Sequence, residues 1–152
     1  MEQPSPEDIR KLRADALEFL ETHRKMSLAT LDKEGHPSVS MVLYAVDEQF
    51  NIFFGTRKVF GKYHALIADA HTSLTIVEGK VDPLKVVEIH GMAEAIPSER
   101  MSELLAWFTK KNPSPFYIKD EEDLVMFKIV PSNIKWIDAS SGVLMPHDIT
   151  VA

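Results

Sequence analysis

The chain has 152 residues, with 17 Lys+Arg against 23 Asp+Glu and a formal charge of −6 at pH 7. That length suits one domain able to bury a core without metal or disulfide staples, and the acidic balance argues against a general nucleic-acid binder, which needs Lys and Arg clustered over a face. The absence of cysteine removes disulfide frameworks, thiolate metal sites and cysteine nucleophiles together.

The start, MEQPSPEDIRKL, is acidic and proline-containing, unlike a secretory signal. No apolar run approaches the ~20 residues of a membrane-spanning helix, so a cytoplasmic protein is expected. Ser5 followed by Pro6, Glu7 and Asp8 is a helix start: a hydroxyl cap, proline at the first helical position, then acids that complement the dipole. Ile9, Leu12, Ala16, Phe19 and Leu20 continue at helical spacing, which predicts an amphipathic helix over 6–23. From Met26 the period changes. Met26 to Leu31, Pro37 to Val46 and Phe50 to Phe54 are rich in β-branched and aromatic residues and are separated by the turn sequences DKEGHP and VDEQ, which predicts an antiparallel meander.

A short helix is expected from about Val59 to Ala70, then strands at Ser73 to Val77 and Val86 to Ile96, the latter with Gly91 as a candidate bend. Pro97 and Ser98 open a further helix with Met101, Leu104, Leu105 and Phe108 on one face; Trp107, adjacent to Phe108, points elsewhere, so one of the pair faces the core and the other a partner. A proline-bearing and then acidic loop follows, and Val125 to Val130 and Asn133 to Asp138 read as two last strands interrupted by Pro131-Ser132. Together these predict a mainly β, α+β domain over 1–152: a small antiparallel barrel of six or seven strands over about 25–138 with peripheral helices, and a short tail at 139–152.

The strongest local charge anomaly is the stretch from Gln49 to Ala68, twenty residues without an acid that include Arg57, Lys58 and Lys62. The order strand, loop, helix puts these cations where helix N-terminal amides point outward, a place suited to a phosphate or carboxylate, with Thr56 as a further donor. A solvated basic turn is the plain alternative. A P-loop does not fit: five residues rather than four separate Gly55 from Gly61, and Tyr63 stands where the Ser/Thr ligand of Mg²⁺ belongs.

The succession MSLATLDKEGHPSVSMVLYAVDEQFNIFFGTRKVFGKYHAL resembles the opening half of the pyridoxamine 5′-phosphate oxidase-like, flavin-mononucleotide (FMN)-binding split barrels: A-T-L in a strand, a turn ending G-x-P, a strand ending F-x-T, then an S-x-K segment entering a helix. MFKIVPSNIKWIDA is similar to that family's final strand pair, and the resemblance covers about residues 20–138. It implies a six-stranded split barrel and a homodimer with two FMN sites at the subunit interface. By position, Thr56, Lys62 and the neighbouring Arg57 and Lys58 would hold the flavin phosphate. Ser40, Met41, Val42, Phe54 and Gly55 would border the ribityl chain and ring, and Trp136 would face the flavin from the partner subunit.

Two positions depart from the pattern: Ser40 stands where members often carry Arg, and Phe60 where they carry the Ser of S-x-K. The segment after Trp136 has no arginine, whereas the namesake oxidases bind substrate phosphate with an Arg- and His-containing segment there. A small branch distinct from the namesake enzymes is therefore implied, with hydride exchange at flavin N5 and an unidentified small molecule as substrate. The competing expectation is a non-enzymatic binding module with the same barrel, holding flavin, haem or deazaflavin; His64 or His90 is then a candidate haem ligand.

Other chemistry has weaker support. Glu88 and His90 share a strand face but are one ligand short of a catalytic zinc site, so no metal is expected. There is no GxSxG, and the acidic run from Asp120 to Asp123 lacks the spacing of a calcium loop and reads as a solvated face.

Overall fold

The computed structural model describes residues 4–117, 122–142 and 145–151. The first helix, α1 (Pro6–Thr22), begins as its sequence requires: the Ser5 hydroxyl accepts from the Asp8 backbone N–H, and the Asp8 carboxylate accepts from the Ser5 backbone N–H. Its buried stripe, Ala16, Phe19 and Leu20, plugs one end of the sheet. The strands are β1 (Lys25–Leu31), β2 (Pro37–Leu43), β3 (Ala45–Val46), β4 (Ile52–Arg57), β5 (His71–Val77), β6 (Lys85–Ala95), β7 (Leu124–Asp138) and β8 (Pro146–Asp148). They form one antiparallel sheet in the order β2-β1-β5-β6-β7-β4-β3, with β8 added to β7. Helix α2 (Gly61–Ala68) follows β4, and α3 (Met101–Lys111) follows β6.

The sheet curls into a barrel that stays open at one seam. β2 and β4 run alongside each other, yet no hydrogen-bonded ladder joins them. Inside the curl, Leu28, Ile52, Phe54, Val87, Ile89, Phe127 and Ile129 pack together with the α1 stripe. Outside β4 and β7 a second cluster seats α3, through Leu105 and Phe108 against Phe53, Leu124 and Met126. Of the adjacent aromatics on α3, Phe108 is fully buried while Trp107 remains exposed and meets Phe53 edge-on at 5.2 Å.

Two expectations change. The predicted strand Pro37 to Val46 divides into β2 and β3, which pair with different neighbours. Conversely, Pro131-Ser132 does not separate two strands but forms a bulge within β7, because Gly91 pairs with Pro131 and His90 with Asn133, leaving Ser132 as the extra residue. The bulge has a packing reason. Phe127 and Ile129 face inward before it and Ile134 and Trp136 after it, a change from odd to even positions that an uninterrupted strand of period two would not permit.

The C-terminal end of α1 has no basic residue in its last turn, and its carbonyls are served from elsewhere. The Tyr44 hydroxyl donates to the Leu20 carbonyl at 2.7 Å and Lys111 Nζ donates to the same oxygen at 3.0 Å. Burial pushes Lys111 down to about 8 from its usual 10.5. Between those values the unfolded chain binds the proton and the folded chain does not, so stability should rise as pH increases from 8 to 10 and be lower below 8. With partial solvent screening the gain should be about 1 kcal/mol. Urea unfolding across pH 7 to 10 checks this, and Lys111→Met should flatten the slope; an unchanged slope would show that another group carries it.

Candidate functional site

The seam between β2 and β4 opens into a cleft of about 280 Å³. β2 contributes Met41, Val42 and Leu43, β4 contributes Gly55 and Thr56, the start of α2 contributes Phe60 and Lys62, and the loop after α3 closes the far side with Ser114, Phe116 and Tyr117. A Cβ on Gly55 would lie 2.7 Å from Met126 Sδ and 3.0 Å from Tyr117 Cε1, so a larger residue there would have to displace the side chains that close the cleft against β4.

Thr56 is only 1% exposed, and its hydroxyl has no hydrogen-bond partner among the described residues. An unpaired buried hydroxyl costs about 1 to 3 kcal/mol, so its retention beside a cleft marks a place where a ligand oxygen can complete it. Helix α2 starts from Phe60, whose side chain caps nothing, and its first turn carries no acid. Tyr63 N–H donates to the Phe60 carbonyl at 3.1 Å, so the N–H groups of Gly61 and Lys62 and the positive end of the dipole stand open. Lys62 is half-buried, and desolvation pulls its ammonium below the ordinary lysine value. Among the described residues no carboxylate pairs with it. A hydroxyl, a partly desolvated ammonium and uncapped helix amides make an anion-binding set, and an incoming phosphate would satisfy all three.

The structure thus brings together five residues expected from sequence: Met41, Val42, Gly55, Thr56 and Lys62. The other five lie elsewhere. Ser40 is half-buried opposite Leu28 in the β1–β2 ladder and is no part of the cleft wall. Phe54 is fully buried inside the barrel, its ring stacked on Phe127 at 5.5 Å. Arg57 serves the wall instead of standing open: Nη1 donates to Asp123 Oδ1 at 2.8 Å, Nη2 donates to the Phe116 carbonyl at 2.7 Å, and the guanidinium lies 4.6 Å over the Phe116 ring. Lys58 is exposed, and its backbone N–H donates to the Asp123 carbonyl. Trp136 is 3% exposed and packs on Phe19 with ring centroids 5.1 Å apart, which leaves almost none of its surface for a ligand held by a partner.

Asp123, expected on a solvated face, is instead the partner of Arg57; Asp120 and Glu121 lie outside the described residues. Ser114, Phe116 and Tyr117 were not legible as site residues. The available signal was the pair of adjacent aromatics in a proline-bearing loop, next to acids that complement the basic stretch. Tyr63 and His64 do not line the cleft: Tyr63 meets Phe127 edge-on at 6.3 Å in the core, and His64 is exposed.

An antiparallel barrel split along one seam defines a split-barrel fold. A family model described as pyridoxamine 5′-phosphate oxidase matches residues 12–138, and the chain belongs to that family. It stands with the oxidase-like members of that family and not with the namesake oxidases, and residues 137–152 contain no arginine. No curated protein matches the sequence.

Solved structures share the fold. A haem-binding protein from Mycobacterium smegmatis superposes with a TM-score of 0.76 at 20% identity, covering 97% of this chain, which spans 59% of that one. A conserved hypothetical protein from Mycobacterium tuberculosis gives 0.74 at 23% identity, covering 88% of each chain. An F420 reductase gives 0.65 at 20% identity, covering 77% of this chain and 93% of the other. Among the described residues no helix is long and apolar enough to cross a membrane.

Proposed function

We propose that this chain is a cytoplasmic, FMN-binding, oxidoreductase-like protein that holds the flavin in the seam between β2 and β4. The observation that carries the reading is the buried, unpartnered Thr56 hydroxyl beside Lys62 at the uncapped start of α2. Thr56, Lys62 and the first amides of α2 would hold the phosphate, Met41 to Leu43 would border the remainder along β2, and Tyr117 would exclude water from the Gly55 side. Arg57 supports this indirectly by fixing Phe116 in the loop wall. The flavin, when bound, supplies hydride exchange at N5, and the protein supplies orientation and phosphate anchoring.

A homodimer belongs to the same proposal. A cleft of about 280 Å³ falls just below the roughly 300 to 1,000 Å³ usual for small-molecule sites, so one chain encloses only part of a ligand of flavin size. A second copy would supply the missing wall.

Purified protein titrated with FMN should quench flavin fluorescence with one site per chain. Lys62→Met should weaken binding by about 10- to 100-fold and Thr56→Val by about 10-fold, in line with the loss of one charge-assisted and one ordinary hydrogen bond. No quenching by the unsubstituted protein would overturn the reading. A second reading, a non-catalytic module of the same barrel for flavin, haem or deazaflavin, is favoured by Phe60, a ring at the cleft where a hydroxyl donor would stand. It gains if FMN binds tightly while nicotinamide donors produce no bleaching of the bound flavin.

A further inference from the structure

We propose that the outer face of the β5–β6 ladder is a copper site formed by His71, His90 and Met92, independent of the flavin seam. The register places His71 opposite Met92 and Ser73 opposite His90, so all four side chains stand on one face around a groove of about 500 Å³. From sequence, His90 had only Glu88 beside it on its own strand; the neighbouring strand supplies the second imidazole and a thioether lies between. Diagonal neighbours across an antiparallel pair are roughly 7 to 8 Å apart at Cα, within reach of two imidazoles converging on one ion at bonds of about 2.0 Å.

Both rings are oriented by their Nδ1 atoms. His71 Nδ1 donates to Asp69 Oδ1 at 2.7 Å, the carboxylate–imidazole pairing that fixes a metal ligand's tautomer and leaves Nε2 as the lone-pair donor. His90 Nδ1 lies 2.6 Å from Ser73 Oγ, and metal capture selects the tautomer in which Nδ1–H donates to that hydroxyl. Among the described residues neither Nε2 has a partner. Asp69 Oδ1 also accepts from the His71 backbone N–H at 3.0 Å, which fixes the carboxylate beside the ring.

The donor set decides the ion. Imidazole nitrogens suit Zn, Cu, Fe and Ni alike, and the soft Met92 thioether tips the set toward Cu(I), whereas Mg²⁺ and Ca²⁺ require oxygens that this face does not converge. The exposed trio Asp32, Glu34 and His36, whose ligand atoms lie within 4.8 Å of one another, is the competing position on this chain.

The test uses the full chain and Cu(I) in anaerobic competition with a chromophoric chelator. One Cu(I) per chain is expected, with His71→Gln and His90→Gln each lowering affinity at least 10-fold, Met92→Leu several-fold, and Asp69→Asn by roughly 10- to 100-fold through ring orientation. His36→Gln should change nothing. All these positions are exposed except half-buried Asp69, so circular dichroism should remain that of the unsubstituted protein. No saturable binding, an affinity unchanged by either histidine substitution, or a loss seen with His36→Gln would overturn the site. A haemin Soret shift that depends on His90, in a protein that does not retain Cu(I), would reassign the groove to haem. FMN titration of the same variants should be unaffected, which separates failure here from failure of the flavin reading.

Discussion

Phe127→Ala should lower the unfolding free energy by about 3 to 5 kcal/mol, the usual cost of emptying a buried phenylalanine site. The residue is 1% exposed, and its ring stacks on Phe54 and meets Tyr63 edge-on. β7 is held on both sides at this position, since Phe127 pairs with Phe54 of β4 and with Ala95 of β6. Neither neighbour can slide in to fill the space without breaking ladder hydrogen bonds, so the cavity should persist. For a chain of this length the loss corresponds to a fall in Tm of roughly 10 °C. Urea and thermal unfolding measure it. A cost near 1 kcal/mol would mean that the barrel interior collapses around the gap and is not close-packed there.

Gly91→Val should cost about 3 kcal/mol, at the upper end for overpacking, and for the opposite reason. The bulge at Ser132 pushes the β7 backbone toward β6, so that a Cβ on Gly91 would lie 2.5 Å from the Val130 carbonyl oxygen and 2.9 Å from Ile129 Cγ2. Backbone cannot rotate away as a side chain can. Relief requires removing the bulge, and that would turn Ile134 and Trp136 from the core to solvent. Denaturant unfolding of Gly91→Ala and Gly91→Val should give a graded loss, the alanine variant being milder. Equal stability for glycine and valine would show that the bulge is not fixed by this contact.

The architecture was largely legible because it rests on period. The Ser5 cap and apolar stripe of α1, the alternation in β1 and the Gly91 irregularity on β6 are local signals, and each element lies within a few residues of its expectation. The bulge was not legible, since Pro131-Ser132 carries the same turn chemistry whether it ends a strand or kinks it, and only the partner strand decides. The site was half legible. Thr56 and Lys62 lie six residues apart on a strand and the following helix, so their convergence follows from local geometry. Tyr117 and the Arg57–Asp123 pair depend on contacts across about sixty residues of chain, which no spacing rule reports. Charge counting misassigned Arg57 because it registers where a cation is and not which anion reaches it.

The open seam has a mechanical consequence. Every strand that builds the barrel interior is tied to its neighbours by a ladder, but the two that flank the cleft are not tied to each other. Cleft-lining side chains on β2, on the start of α2 and in the loop after α3 can therefore change without severing a rung of the sheet. The shape of the cleft wall and the integrity of the frame are thereby set by separate parts of the chain.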